Sequence, residues 1–464
     1  DSGDTFTIPS GATITNAGTA TGFGATGAVN WNTTVKTVSF TATTGEGYFV
    51  NTTSGEITVT LPAGPSAGDV VGVKDYAKTF DTNKCILGRN SSKIGGKELD
   101  ADITTEGVAI TLVYVDGTQG WLITDSGLQS YASTIQFVAA SGGNTTITCG
   151  DYKTHIFTGP GTFCVSTAGN PCGSNEVDYL IVAGGGSGGV EYRNGGAGAG
   201  GFRVFSSAPG CNSPLIAPAG FPVAASPYAV VVGGGAAAPA YPAPAPGIQG
   251  DASSVFGLTS AGGGGGAQYS GAGINGGDGG SGGGGGGGPP AGGAGGSGDT
   301  PPTSPPQGND GGQGGNEAGA ARSGGGGGGA GACGGDVTPA PAGYGGKGGT
   351  GSYIADPFIG PTAPSYGTPG PVGSTRYFSG GGGGGSYTAP TAPAASPGGP
   401  SVPDGGGGGQ GGGSTPAPAY TASTGGTINT GGGGGGQSAP APCGPGSEVV
   451  TGGSGIVIIR YKFQ

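Results

Sequence analysis

The stretch GGGGGGGPP at residues 282–290 places seven consecutive glycines ahead of two prolines. Glycine loses more backbone freedom on folding than any other residue, so an isolated stretch of this kind is expected to be a disordered tether. The recurrence of runs of similar length favours an ordered, repeated element over a flexible linker, which is the alternative interpretation. The chain contains six runs of five or more glycines, at 262–266, 282–288, 324–329, 380–385, 405–409 and 431–436.

One ordered backbone conformation suits such runs. It is a left-handed helix with three residues per turn and a rise of about 3.1 Å, so that a seven-residue run spans roughly 20 Å. This helix satisfies none of its own backbone groups, but several side by side can exchange N–H to C=O bonds. Only glycine lets the backbones approach closely enough on every side. The runs therefore predict a polyglycine II lattice, with the segments between the runs held as loops at its ends.

The composition excludes several classes of partner. Glycine accounts for 121 of 464 residues, charged residues for 9%, and the net charge is -11. Nucleic-acid binding relies on clustered Lys and Arg, so we expect no nucleic-acid partner. No apolar run approaches the roughly 20 residues of a membrane span, so we expect no membrane insertion. The absence of Met indicates a processed chain or a fragment of a longer one.

The remaining sequence reads as short strands punctuated by Gly, Pro, Asn and Asp, and α-helical periodicity is essentially absent. We predict an all-β fold with a glycine-rich lattice and essentially no α-helix. The predicted domains are N-terminal strands at 1–30, a β-domain at 31–130, framing strands at 131–183, and the glycine-rich domain at 184–464 with inserted loops and a closing C-terminal strand.

The seven cysteines show neither a CxxC pair nor zinc-ligand spacing, so no metal site is expected. Disulfides or small buried side chains are the two interpretations. Cys164 and Cys172 flank the turn-like stretch VSTAGNP and are the favoured disulfide pair. Cys85, isolated in another region, is the expected free thiol.

Two sequence features could suggest an enzyme, but the residues around them do not support that interpretation. Gly184, Gly186 and Gly189 match the dinucleotide fingerprint G-x-G-x-x-G, but VEYRNGGAGAGG cannot supply the helix that must follow. His155, the one histidine, lies near Asp151, and we interpret it as a structural strand residue. The sequence therefore predicts no enzyme activity and no cofactor.

Several segments resemble a known family. They are HIFTGPGTFCV (155–165), VDYLIVAGGGSGG (177–189), GAGGFRV (198–204), YAVVVGGG (228–235), DASSVFGLTSAGGGGG (251–266) and GGSGIVIIRYKF (452–463). The residues of these segments and the order of the segments along the chain resemble those of the glycine-rich domain at the ends of phage tail-fibre proteins. Residues 31–126 are similar to a β-module repeated in tail fibres of phages that infect aquatic bacteria, and TFTIPSGATITNAGTATG (5–22) resembles fibre strands.

The resemblance implies a homotrimeric virion tail fibre, joined to other fibre proteins upstream, that attaches the bacteriophage to a bacterial surface glycan or outer-membrane protein. Related adhesins carry receptor-binding loops at one end of a polyglycine sandwich. The alternatives are a structural subunit of an extracellular filament or sheath, and an ice-binding protein.

The longest interval between glycine runs, 330–379, concentrates aromatic residues. Aromatic rings offer contact area at little entropic cost and stack on sugars, so we expect receptor contacts here; packing of the rings within the loop is the alternative. The candidate receptor-binding residues are Tyr344, Tyr353, Phe358, Tyr366, Arg376, Tyr377 and Phe378.

Overall fold

The computed structural model describes two units, which divide between Thr134 and Ile135. In the described residues, helix is limited to a four-residue turn, α1 (Asp356–Ile359), and a 3-10 turn (Ala363–Ser365), which confirms the predicted all-β class. The predicted strands at 1–30 lie almost entirely outside the described residues. These are 29–128, 135–189, 193–210, 212–240, 245–269, 274–289, 291–315, 323–337, 345–370, 372–386, 408, 413–414, 420–437 and 450–464.

The first unit consists of two sheets, with strand orders β1-β3-β5-β8-β9 and β2-β4-β6-β7. The pairs β1/β3, β3/β5, β2/β4 and β4/β6 are parallel, so the chain alternates between the two sheets as it winds. The strands are β1 (Asn30–Lys36), β2 (Phe40–Thr41), β3 (Glu46–Val50), β4 (Ile57–Thr60), β5 (Val70–Asp75), β6 (Cys85–Gly88), β7 (Ala101–Ile103), β8 (Val108–Asp116) and β9 (Gly120–Leu128).

The period-two alternation of these strands buries one side of each sheet. Val50, Val59 and Val73 are fully buried in a common core with Trp121. Trp31 instead lies outside this core and is 39% exposed. Its ring covers Gly47, where an added Cβ would lie 2.7 Å from Trp31 Cε3, so only glycine lets the ring rest on the sheet.

The second unit is built on a sheet of order β11-β12-β25-β14-β15, in which the C-terminal strand lies at the centre. Two cores cover its two faces: Val457 and Ile459 of β25 face one, and Ile456 and Ile458 face the other. The strands are β10 (Val138–Ser141), β11 (Thr145–Cys149), β12 (Tyr152–Phe157), β13 (Gly161–Ala168), β14 (Glu176–Val182), β15 (Phe202–Phe205), β16 (Phe221–Pro222), β17 (Pro227–Val230), β18 (Ser253–Val255), β19 (Leu258–Ser260), β20 (Ser352–Ala355), β21 (Thr368–Pro369), β22 (Thr375–Phe378), β23 (Gly413–Ser414), β24 (Tyr420–Thr421) and β25 (Ile456–Lys462).

The glycine run 282–288 is ordered by hydrogen bonds to other segments of the same kind, which we call struts. All seven of its N–H groups donate hydrogen bonds. Successive N–H groups donate to three different neighbouring struts in turn, so every third N–H group donates to the same strut. This period is that of the polyglycine II helix. The donor–acceptor pairs are Gly282–Asn309, Gly283–Gly277, Gly284–Gly196, Gly285–Gly312, Gly286–Ile274, Gly287–Arg193 and Gly288–Gly315, with N···O distances of 2.8–3.2 Å.

The carbonyls of the same run accept from three further struts, which gives it six neighbours in all. The accepting pairs are Gly282–Gly328, Gly283–Gly296, Gly284–Ala267, Gly285–Gly325 and Gly286–Gly293. The six neighbours satisfy both backbone groups of each residue from 282 to 286, which offsets the entropy cost of ordering glycine. The close spacing also explains the composition, because a Cβ added to Gly284 would collide with the Gly325 carbonyl. The predicted polyglycine II lattice is therefore present.

The lattice is larger than the long glycine runs indicate. Segments with interspersed side chains, such as 184–189, 195–201 and 308–315, form struts with the same period of three. The expectation that everything between the long runs is a loop is therefore wrong. The run 405–409 lies outside the described residues except for Gly408.

The lattice has two distinguishable ends. Residues 184–189 follow β14 and residues 195–201 lead into β15, so both struts meet the sheet at one end, the basal end. The opposite end, between residues 189 and 194, is the distal end. Most struts alternate in direction, as the Gly283–Gly277 and Gly286–Ile274 bonds show for one pair. The described chain leaves the distal end at residues 189, 240, 269, 289, 315, 337, 386 and 437.

Candidate functional site

The segment 352–378, which carries most of the predicted receptor-binding residues, folds at the basal end. It forms the small sheet β20-β22-β21 with α1 between its strands. The Thr154 hydroxyl donates to the Phe358 carbonyl at 3.3 Å, and the Ser213 and Ser352 hydroxyls lie 2.7 Å apart. These buried bonds attach the segment to the sheet side of the unit, away from the distal end.

Three of the predicted contact residues are buried. Phe358 and Phe378 are 0% exposed and share a core with Ile458, and Tyr377 is 5% exposed. Their burial excludes direct contact with a receptor in this structure. The aromatic concentration in this interval therefore reflects a local hydrophobic core, the alternative that the sequence left open.

Three others are half-buried and have structural contacts. The Arg376 guanidinium donates to the carbonyls of Tyr366 at 2.7 Å and Gly367 at 2.8 Å, which holds the turn before β21. The Tyr353 ring lies 5.1 Å from that of Tyr377 across the β20–β22 pair, and Tyr366 packs against the core. The seventh candidate, Tyr344, lies outside the described residues.

The distal end presents a different group of side chains around strut 195–201. The Arg193 guanidinium lies 4.9 Å from the centre of the Tyr269 ring, a cation–π distance. Asn194 fixes the backbone beneath this pair: its Oδ1 accepts from the Tyr269 N–H at 2.9 Å, and its N–H donates to Gln437 at 3.1 Å. Arg193 and Tyr269 are both half-buried and lie on a hydrogen-bonded part of the lattice.

The position of this pair is central. Strut 195–201 and the flanking Asn194 exchange hydrogen bonds with six neighbouring segments, so this strut lies in the interior of the lattice. Arg193 lies next to Asn194, at the distal end of this interior strut. The six neighbours are residues 184–186, 261–267, 281–284, 325–328, 382–385 and 431–434.

Sequence reasoning missed Arg193 and Tyr269 because it selected the longest interval between glycine runs. Tyrosines recur in the sequences between glycine segments, but the sequence alone does not separate those at the distal end from the others. Tyr192, Tyr241, Tyr269, Tyr344 and Tyr387 all have such positions in the sequence. Only the direction of each strut separates distal connections from basal ones.

The favoured disulfide is not formed: Cys164 and Cys172 are both free, exposed thiols. Cys164 lies within β13, opposite Ser141. The turn that carries Cys172 is tied to Gln136, beyond the far end of the β10–β13 pair, by bonds from Asn170 and Ser174. The strand rise of about 3.3 Å per residue separates the two cysteines beyond disulfide reach.

Cys85 is a free thiol, as predicted, and is fully buried in the core of the first unit. Burial and the nearby Asp75 raise the pKa of the Cys85 thiol to about 12. The thiol is therefore protonated and unreactive at neutral pH.

His155 is a strand residue with structural partners. Its Nδ1 donates to the Gly142 carbonyl at 2.6 Å, and its Nε2 lies 3.2 Å from the Tyr461 hydroxyl. Burial lowers the pKa of His155. Within the described ranges, no three His, Cys, Asp or Glu side chains are arranged to hold a metal ion. In the same ranges, no helix has the length and apolarity to cross a membrane.

Comparison with protein families agrees with the lattice. The family model of the glycine-rich domain matches residues 158–462. The chain belongs to the glycine-rich domain family. The matched span begins just before β13 and ends with β25, so it includes β14, β15 and β25 of the sheet together with the lattice. No curated protein matches the chain.

Proposed function

We propose that this protein is a bacteriophage tail-fibre adhesin that attaches the virion to a receptor on the bacterial surface through the distal end of its lattice. The observation that carries the proposal is the pair of Arg193 and Tyr269 at the distal end of the lattice. The resemblance of the framing segments to glycine-rich domains of phage tail fibres supplies the biological setting. The receptor would be a surface glycan or an outer-membrane protein.

The difference between the lattice struts and the segments that connect them supports this proposal. Struts such as 282–288 are constrained on all sides, so substitutions there are costly. Segments that connect elements at a protein surface generally tolerate changes in sequence better than such a scaffold does. A rigid base with variable connections is suited to a binding protein whose target changes.

The proposal includes a homotrimer joined to upstream fibre proteins. Its first unit, 29–128, would then belong to the fibre shaft and its second unit would carry the receptor-binding end. A trimer would also give the apolar-poor sequence at 1–30 further surface to pack against.

The test is binding of the fluorescently labelled chain to a panel of bacteria from its source habitat. In a matched variant, Arg193 and Tyr269 are both replaced by Ser, with unchanged circular dichroism as the folding control. Selective binding that falls in the variant supports an adhesin. Absence of binding to every strain, together with visible polymerisation, would contradict it and favour a structural filament.

A further inference from the structure

In the interior of the lattice, the N–H groups of a strut donate to the carbonyls of neighbouring struts. At one face of the lattice, side-chain oxygens accept these hydrogen bonds instead. Strut 309–315 shows the arrangement. Its N–H groups point in three directions, because the helix has three residues per turn. Two directions meet the struts 292–297 and 323–329. In the third direction, the N–H of Gln313 donates to Asp336 Oδ1, 2.7 Å away.

The neighbouring strut 292–297 is completed in the same way. The Ala294 N–H donates to Asn275 Oδ1 at 3.0 Å, and the Ser297 N–H donates to Asp278 Oδ1 at 2.7 Å. Asn275 and Asp278 are three residues apart, so they lie on the same side of their own strut. Immediately after this strut, the Gly298 N–H donates to Asp310 Oδ1 at 2.7 Å.

These four acceptors, Asn275, Asp278, Asp310 and Asp336, are all exposed, and we call the surface that they form the capped face. An exposed row of backbone N–H groups is a template on which another chain can pair, as at the edge of a β-sheet. Here the side-chain oxygens already occupy the place of the missing acceptor.

We infer that Asn275, Asp278, Asp310 and Asp336 close this face against the addition of a polyglycine strut from a second copy of the chain. The side-chain oxygens accept from the outward N–H groups. A strut that approached the capped face would therefore find no free N–H donor for its carbonyl oxygens. Lateral growth of the lattice through this face is therefore unfavourable.

The test compares triple variants by sedimentation velocity over a wide range of protein concentration. D278A/D310A/D336A removes the three charged acceptors, and we expect its average sedimentation coefficient to rise with concentration above that of the unmodified chain. D278N/D310N/D336N keeps each Oδ1 acceptor without the charge, and we expect it to match the unmodified chain. E98A/E106A/D125A removes three exposed charges from the first unit and controls for net charge.

Association of the Ala variant alone supports capping. Association of the Asn variant to the same extent would overturn it in favour of charge repulsion, and an Ala variant that matches the unmodified chain would also overturn it.

The single variant D336A tests one capping hydrogen bond directly, even if a triple variant fails to fold. In D336A, the amide hydrogen of Gln313 should exchange about two- to tenfold faster, the range expected for one lost exposed hydrogen bond. Unchanged exchange at Gln313 would show that Asp336 caps nothing and would overturn the inference.

Discussion

The Arg460 guanidinium lies 2.7 Å from the Asp178 carboxylate, across the pair of central strands β25 and β14. The two side chains are only 4% and 7% exposed. Ser207 donates to the same carboxylate oxygen at 2.8 Å, and the Arg460 guanidinium stacks 3.5 Å from the centre of the Tyr152 ring. The pair thus fixes the register of the C-terminal strand within the base of the lattice.

Removing one member of this buried pair should be strongly destabilising. We expect Asp178→Ala to lower the free energy of unfolding by about 3–5 kcal/mol, because it leaves the Arg460 charge buried without its partner. Denaturant unfolding provides the measurement. Replacing both residues, as in D178L/R460M, should recover much of the loss, and a double variant as unstable as the single one would contradict this account.

The interior of the lattice should not tolerate a methyl group. We expect Gly284→Ala to destabilise the protein by at least about 1–3 kcal/mol, because its Cβ would collide with the Gly325 carbonyl of a neighbouring strut. Gly277→Ala is the matched control at an exposed position, where the nearest atom to an added Cβ lies 3.1 Å away. Thermal unfolding compares the two, and equal losses would argue against close packing of the interior.

Stability should fall in mild acid because of His155. Burial lowers its pKa in the folded state, so between that pKa and the unfolded value of about 6.5 the unfolded chain binds more protons. The contribution of His155 to stability is therefore present above about pH 6.5 and is lost as the pH falls through the folded pKa. Chemical unfolding from neutral to acid pH should show a smaller loss for His155→Gln than for the unmodified chain, and parallel curves would contradict the assignment.

Arg376 should support the basal segment without contributing to receptor binding. We expect Arg376→Met to destabilise this segment by about 1.5–3 kcal/mol, since its guanidinium donates to the carbonyls of Tyr366 and Gly367. Limited proteolysis should show faster cleavage near these residues, while binding to bacteria stays unchanged. A loss of binding with normal proteolytic resistance would restore Arg376 as a contact residue.

The sequence predicted the polyglycine II struts better than it predicted how the struts are connected. The run 282–288 indicated polyglycine II because glycine alone fits six close neighbours. Strut 195–201 was missed because Ala197 and Ala199 interrupt its glycines, and the hydrogen bonds that reveal its period of three join residues far apart in the chain.

The burial of several candidate residues could not be predicted from the sequence for a related reason. Phe358 and Phe378 are buried by residues of strands that are distant in sequence. The sequence around these two residues therefore does not distinguish them from exposed contact residues. Whether a connection is basal or distal depends on the direction of the struts before and after it. Composition carries no information about that direction, so Arg193 and Tyr269 could not be distinguished from other residues between glycine segments.

The most direct test of the account compares Tyr269→Ser, at the distal end, with Tyr353→Ser, at the basal end, for binding to a bacterial strain that the unmodified chain recognises. Both changes remove a half-buried tyrosine ring from the glycine-rich domain, so each controls for the other. The account predicts that Tyr269→Ser weakens binding by about tenfold or more, the effect of losing an aromatic contact at an interface, and that Tyr353→Ser binds normally. Normal binding by Tyr269→Ser together with weakened binding by Tyr353→Ser would contradict it.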